Sequence, residues 1–277
     1  MEYWFTENQA AGLRVSIQVE GVLERCKTPY QEAVVSRTAR FGGMLTLDNV
    51  IQTTERDEFM YHEMICHVPM CSHPAPRRAL VVGGGDGGSV REILKHPVER
   101  VDLVEIDEKV LDLARRNLPS ISSKLDDPRV TVTIGDGIEF VKSANDAYDV
   151  IVVDSTDPVG PAVGLFGEEF LREIKRALRG DGLFVAQTGS PFYFPDEVGR
   201  VFGCVKGIFP KSGVYLGCVP TYPGGMWSYT IGSMAHEFTT PAGGRTVPGT
   251  KYYSPEIHRA AFRLPPFVER ILEGDAD

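Results

Sequence analysis

The chain has 277 residues, 42% hydrophobic and 24% charged, enough for one large domain or two unequal ones and too apolar for a disordered chain. Its 29 Lys and Arg stand against 38 Asp and Glu, a formal net charge of −9 that argues against nucleic acid as the default partner. That balance leaves room for a cationic small molecule.

Cys26, Cys66, Cys71, Cys204 and Cys218 are scattered, with neither metal spacing nor the density of a secreted framework, and read as reduced thiols. The start, Met1 to Glu7, is acidic and lacks the basic region and apolar run of an export signal. No stretch approaches the roughly 18 apolar residues of a membrane span. A cytoplasmic enzyme without a membrane partner is the expectation.

Residues 1 to about 52 read as strands. Residues 13–19 alternate apolar and polar, 32–38 contain Val34 and Val35, and Gly42-Gly43 marks a tight turn into 44–47. Together they predict a small, mainly antiparallel β unit. Thr54 and Asp57 have capping-box spacing and predict a helix start, with Phe59, Tyr61, His62 and Ile65 on the helix. A Pro-rich connection follows at 73–76.

After Arg78 the pattern changes to short apolar runs alternating with helical stretches. Strands are expected at 79–82, 101–104, 130–134, 150–153 and 183–186. Helices are expected from about Ser89, through Val110, Leu113 and Ala114, near 138–141, and over about 168–178. Repeated β-α units predict a parallel, doubly wound sheet that binds ligands at the carboxyl ends of its strands. The chemistry should therefore lie just after each strand.

The first such place is the loop 83–88. Gly83, Gly85 and Gly88 satisfy G-x-G-x-x-G, a weak dinucleotide signal taken alone. Asp86 inside the loop would repel a pyrophosphate but suit a cationic or zwitterionic ligand. Its plainer role is to cap the next helix. Glu105, after the second strand and about twenty residues on, is placed to accept ribose hydroxyls, a feature that dinucleotide and adenosyl-sulfonium sites share. Asp136 and Gly137 follow the third strand, where Asp136 can cap a helix, supported by Glu139, and can also face an adenine, the two roles being compatible.

The fourth strand delivers Asp154 and Asp157, three residues apart, within a loop containing Pro158, Gly160 and Pro161. A metal would explain paired acids, but few further ligands are evident. Amine chemistry explains them better. An attacking amine must lose a proton, which Asp154 could accept while Asp157 helps hold a dicationic acceptor. A sulfonium leaves as a neutral thioether, so no general acid is needed. A structural role for the loop is the bland alternative. His62 and His67 are five apart, whereas a zinc helix needs four, so no metal is expected. Tyr61, His62 and Tyr222 either line the pocket or pack between domains, and aromatic faces favour a cation.

These residues together resemble the spermidine synthases, the polyamine aminopropyltransferases. The resemblance runs from Trp4 to the segment 252–262, with its most specific stretches at 47–59, 83–88 and 154–161. It implies an N-terminal β domain, taken as 1–53, before a methyltransferase-type Rossmann-like α/β catalytic domain, 54–277, assembled as a homodimer or homotetramer. It implies transfer of a 3-aminopropyl group from decarboxylated S-adenosylmethionine to putrescine, giving spermidine and methylthioadenosine. The donor is a co-substrate and no cofactor is expected.

By motif, the resemblance makes Asp154 the proton acceptor. Gln31, Glu105, Asp136 and Gly137 would hold the methylthioadenosine portion, with Gly83 and Gly85 beneath it. His62 and Asp86 would meet the aminopropyl and amine region, Asp157 and Pro161 would complete a gate loop, and Tyr61 and Tyr222 would line the acceptor site. Trp227 beside Tyr222 bears on acceptor length. Two rivals use the same residues: a methyltransferase with ordinary S-adenosylmethionine, and a polyamine- or nucleoside-binding protein without turnover.

Overall fold

The structure, a computed structural model, describes residues 2–156 and 164–274. Asp157 and Pro161, with the rest of the expected gate loop 157–163, lie outside the described residues.

Five strands form the first sheet: β1 (Tyr3–Ala10), β2 (Leu13–Lys27), β3 (Glu32–Thr38), β4 (Gly42–Leu47) and β5 (Val50–Thr54). They pair antiparallel in chain order, the meander expected of short strands joined by tight turns. Helix α1 (Glu58–Ser72) follows, and the β-α units come after it. These are β6 (Arg78–Gly83), α2 (Gly88–Ile93), β7 (Arg100–Glu105), α3 (Glu108–Asn117), α4 (Pro119–Ser122), β8 (Val130–Ile134), α5 (Gly137–Ser143), β9 (Tyr148–Asp154), α6 (Glu168–Ala177) and β10 (Leu178–Gly189). Helix α7 (Pro195–Ile208), the hairpin β11 (Lys211–Cys218) and β12 (Met226–Ser233), and helices α8 (Pro255–Ala261) and α9 (Pro266–Glu273) complete the fold.

The second sheet has the order β11-β12-β10-β9-β6-β7-β8. Its five β-α strands are parallel, and the closing hairpin joins antiparallel through β12. The sheet is thus Rossmann-like, with the antiparallel edge of the methyltransferase type. Its central strands are apolar on both faces because both are covered. Val81, Leu103, Val152 and Val185 enter the core shared with α1 and α2, while Leu80, Val82, Val153 and Phe184 enter the one shared with α5, α6 and α7. Ala33, Val35, Leu45 and Leu47 of the first sheet pack on Val110 and Leu113 of α3, Ile121 of α4 and Leu118 between them. This apolar seam seats the small sheet over the carboxyl edge of the large one, and the site lies between them.

One sequence expectation is corrected here. Thr54 and Asp57 do not form a capping box, since α1 begins at Glu58 and Asp57 stands at its N-cap without capping it. The Asp57 carboxylate is taken by other donors. Thr54 Oγ1 donates to Oδ1 (2.5 Å), and Thr221 donates its N–H (3.0 Å) and hydroxyl (2.8 Å) to Oδ2. Asp57 therefore ties the end of the first sheet to the loop before β12.

Candidate active site

A cavity of about 520 Å³ opens between the sheets, lined by residues from both. Every predicted site residue within the described residues borders it: Gln31, Tyr61, His62, Gly83, Gly85, Asp86, Glu105, Asp136, Gly137, Asp154 and Tyr222.

The loop 83–88 owes its glycines to the protein's own acids as much as to any ligand. Gly83 has φ +82°, and a Cβ there would lie 2.3 Å from the Asp154 carbonyl oxygen. A Cβ on Gly85 would lie 2.7 Å from Glu105 Oε2, and one on Gly88 would lie 2.3 Å from the His62 ring. Real Cβ atoms do not approach this closely, so Gly83 makes room for the Asp154 backbone, and Gly85 and Gly88 for the Glu105 and His62 side chains.

Asp154 ends β9, and both of its carboxylate oxygens accept hydrogen bonds. The Tyr61 hydroxyl donates to Oδ1 (2.7 Å) and the Ser89 hydroxyl to Oδ2 (2.6 Å). Burial raises its pKa above the usual carboxylate range, with the Asp86 charge adding to that, while His62 and the two hydroxyls pull the other way. The result is a fixed carboxylate more basic than an exposed one.

His62 lies against it, 2% exposed, between two acids. Its Nδ1 is 2.7 Å from Glu58 Oε2 and its Nε2 is 3.4 Å from Asp86 Oδ2. Burial opposes its charge, yet Asp86 and Glu58 lift its pKa well above the ordinary value, so the ring is an imidazolium. Arg91 holds both oxygens of Glu58 (3.0 and 2.7 Å) from the opposite side. Asp86 also accepts the Gly88 N–H (2.9 Å), so its helix-end and pocket roles coexist. Burial disfavours its charge, and the His62 cation holds its pKa low despite that.

At the other end, Glu105 closes β7 and accepts the Asp107 N–H at Oε1 (2.9 Å). Burial pushes its pKa up to about 7. Asp107 N-caps α3 and receives the Gln31 amide at Oδ2 (3.1 Å), which anchors Gln31 at the rim. Asp136 caps α5 through the Ile138 N–H (2.7 Å). Glu139 plays no part in that cap and pairs with Lys142 instead. Asp136 keeps an exposed carboxylate at the cavity edge. The acceptor side is aromatic: Tyr61 packs edge-on to Tyr222 (ring centroids 5.7 Å apart) and Tyr222 to Trp227 (4.7 Å), with the Tyr222 hydroxyl donating to the Gln52 carbonyl (2.5 Å).

Sequence reasoning missed several contributors. Ser89, Glu58 and Arg91 stand behind the wall: Ser89 bonds Asp154, Glu58 bonds His62, and Arg91 holds Glu58. Glu7 and Gln9, buried on β1, line its far end, and Gln9 Oε1 has no hydrogen-bond partner while its amide donates to the Thr221 carbonyl (2.7 Å). Only the alternation of β1 could have flagged those two.

Two groups have metal-like spacing among the described residues, His62-Asp86-Asp154 and His73-Asp181-His236. In the first, both ring nitrogens of His62 face carboxylates, which suits an imidazolium better than a metal ligand. In the second, His73 Nδ1 accepts the Ala75 N–H (3.1 Å), which leaves Nε2 carrying its proton toward Asp181. His67 turns away from the site to Glu92 and His96. No helix among the described residues is long and apolar enough to cross a membrane.

Comparison with known proteins gives a consistent picture. Residues 58–241 match the family described as the spermine/spermidine synthase domain, and residues 3–55 match the spermidine synthase tetramerisation domain. A polyamine aminopropyltransferase of Moorella thermoacetica is 54% identical over 98% of this chain and 96% of its own. One from a Thermoanaerobacter species is 51% identical over 99% of each. The crystal structure of a spermidine synthase in complex with the transition-state analogue AdoDATO superposes with TM-score 0.95 at 39% identity, covering 98% of this chain and 95% of that one. The Thermotoga maritima spermidine synthase gives 0.93 at 39%, covering 98% and 94%.

Proposed function

This chain belongs to the spermidine synthase family of polyamine aminopropyltransferases, and from that membership we propose that it transfers the 3-aminopropyl group of decarboxylated S-adenosylmethionine to putrescine, giving spermidine and methylthioadenosine. The observation that carries this reading is Asp154, held at both oxygens in one cavity with Glu105 at the nucleoside end and Asp86 beside it.

Glu105 accepts the ribose hydroxyls, Gln31 and the Asp136-Gly137 turn flank the adenosyl group, and the backbone at Gly83 and Gly85 forms the floor. Asp86 receives the donor's ammonium with His62 beside it, while Tyr61 and Tyr222 flank the acceptor chain. Asp154 takes a proton from the attacking ammonium. The freed nitrogen lone pair bonds to the propyl carbon, and the carbon–sulfur bond breaks with its electrons going to sulfur. The sulfonium leaves as a neutral thioether. A general base of this kind contributes about 10²–10⁴-fold, and fixing both reactants supplies much of the rest. Asp157 and Pro161 belong to this scheme by motif alone. No resident cofactor or metal enters it.

The tetramerisation-domain match supports self-association, and the exposed Tyr3, Trp4, Val22 and Leu23 on β1 and β2 offer apolar surface for a homodimer or homotetramer. The chemical reading is tested by mass analysis of products formed from putrescine with either donor. Gain of an aminopropyl unit from the decarboxylated donor is expected. Methyl transfer from ordinary S-adenosylmethionine, with no aminopropyl transfer, would overturn it.

A further inference from the structure

The site places a buried cation where a cationic substrate must go. His62 belongs to α1, and the groups facing it are Glu58 and Tyr61 on the same helix, Asp86 in the glycine loop, Asp154 at the end of β9, and Arg91 on α2 behind Glu58. Both ring nitrogens face carboxylates, the arrangement of a doubly protonated ring. Glu58 is bound at both oxygens by Arg91, so the Glu58–Nδ1 contact is anchored from within the protein. The Asp86 contact is not. It is the longer of the two (3.4 against 2.7 Å), and Asp86 lines the cavity whereas Glu58 does not.

We propose that His62 keeps the place of the substrate's ammonium at Asp86, and that binding exchanges the two: the ammonium pairs with Asp86 while His62 gives up its Nε2 proton to solvent and turns from cation to hydrogen-bond acceptor. This rests on the reading of Asp86 as the amine-binding acid.

The electrostatics favour the exchange. Burial alone would keep His62 neutral, and among the influences that hold its proton the Asp86 charge is the largest. An ammonium paired with Asp86 cancels that charge and adds a like charge beside the ring. Glu58 still holds Nδ1–H, which fixes the tautomer and leaves the Nε2 lone pair facing the ammonium. Without substrate the same imidazolium offsets the repulsion between Asp86 and Asp154, whose nearest oxygens lie within 4.8 Å of each other and of the ring. The balance is one proton out for one ammonium in, with Asp154 left to act as base.

The test is calorimetric titration of the whole enzyme with decarboxylated S-adenosylmethionine near pH 7.5, in buffers of different ionisation enthalpy, which counts protons released. Other carboxyls of the cavity, Asp154 and Glu105, can also release protons, so the quantity that decides is the difference between the wild type and His62→Gln. Close to one additional proton is expected from the wild type. With methylthioadenosine, which lacks the ammonium, the difference should vanish. Nitrogen NMR of ¹⁵N-histidine-labelled wild type supplies a readout independent of the variant, with His62 Nε2 moving from a protonated to an unprotonated shift on donor binding. Equal proton release by both proteins, or a ring that stays doubly protonated in the complex, overturns this inference alone. Failure of the donor to bind overturns the reading of the site and this inference with it.

Discussion

Glu105 offers a quantitative handle on the nucleoside end. Its pKa is pushed up to about 7 by burial, so in the empty enzyme it is half protonated at neutral pH. A ribose hydroxyl donates well to the carboxylate and poorly to the acid, so the ionised form is the one that binds. At pH 6 roughly a tenth of the molecules carry the ionised side chain and at pH 8 roughly nine-tenths, given one tenfold step per pH unit. Methylthioadenosine should therefore bind about tenfold more tightly at pH 8 than at pH 6, a difference of about 1.4 kcal/mol. Nothing on methylthioadenosine titrates in this range. Calorimetric titration at pH 6, 7 and 8 measures the slope directly. Glu105→Gln should bind more weakly at pH 8 and lose the slope. A wild-type affinity flat across this range, or a slope kept by the variant, refutes the assignment of the ribose contact to Glu105.

Two further outcomes follow from buried hydrogen bonds. Ser89→Ala removes a donor that stabilises the charged form of Asp154, so the acid limb of the kcat/KM profile should move up by about one pH unit, the scale of a hydrogen bond to a charged group. An unmoved limb would show that Ser89 does not tune the base. His258 is held neutral by burial with its pKa lowered to about 4, its Nε2 donating to the Phe238 carbonyl and its Nδ1 facing the Tyr253 hydroxyl. Unfolding lets it take up a proton below about pH 6.5, so stability is full above that pH and falls by about 3 kcal/mol by pH 4. Urea melts at pH 7 and 5 should show the loss and His258→Asn should reduce it, whereas identical slopes in both proteins would remove His258 as a cause.

The β-α units were legible because their strands are continuous apolar runs and their helices carry a clear amphipathic period, as in 79–82 followed by the turn at Gly83. The hairpin β11 and β12 was not, because Gly213, Gly217 and Gly232 interrupt it and its aromatics are buried without alternation. Glu105, Asp136 and Asp154 could be picked out because each lies at or just beyond the end of a strand, where a sheet of this kind presents its ligands. Glu58, Ser89 and Arg91 carried no such marker. Ser89 and Arg91 act across the packing of α2 against the end of β9 and α1, which no local pattern encodes, whereas Glu58 meets His62 at i,i+4 spacing on one helix. Thr54 and Asp57 show the converse: their spacing imitates a capping box, while the Asp57 carboxylate is claimed by Thr221, far away in sequence. The glycines of the loop were visible, but the reason for them was only half visible, since it was the protein's own Asp154, Glu105 and His62 that required the space.

The proton acceptor is the claim on which the mechanism depends, and Asp154→Asn tests it most directly. The asparagine keeps the size of the side chain and removes its basicity. Turnover should fall by about 10²–10⁴-fold while methylthioadenosine affinity, set at the Glu105 end, stays near that of the wild type. Turnover close to wild type in a variant that binds normally would contradict it and place the base elsewhere.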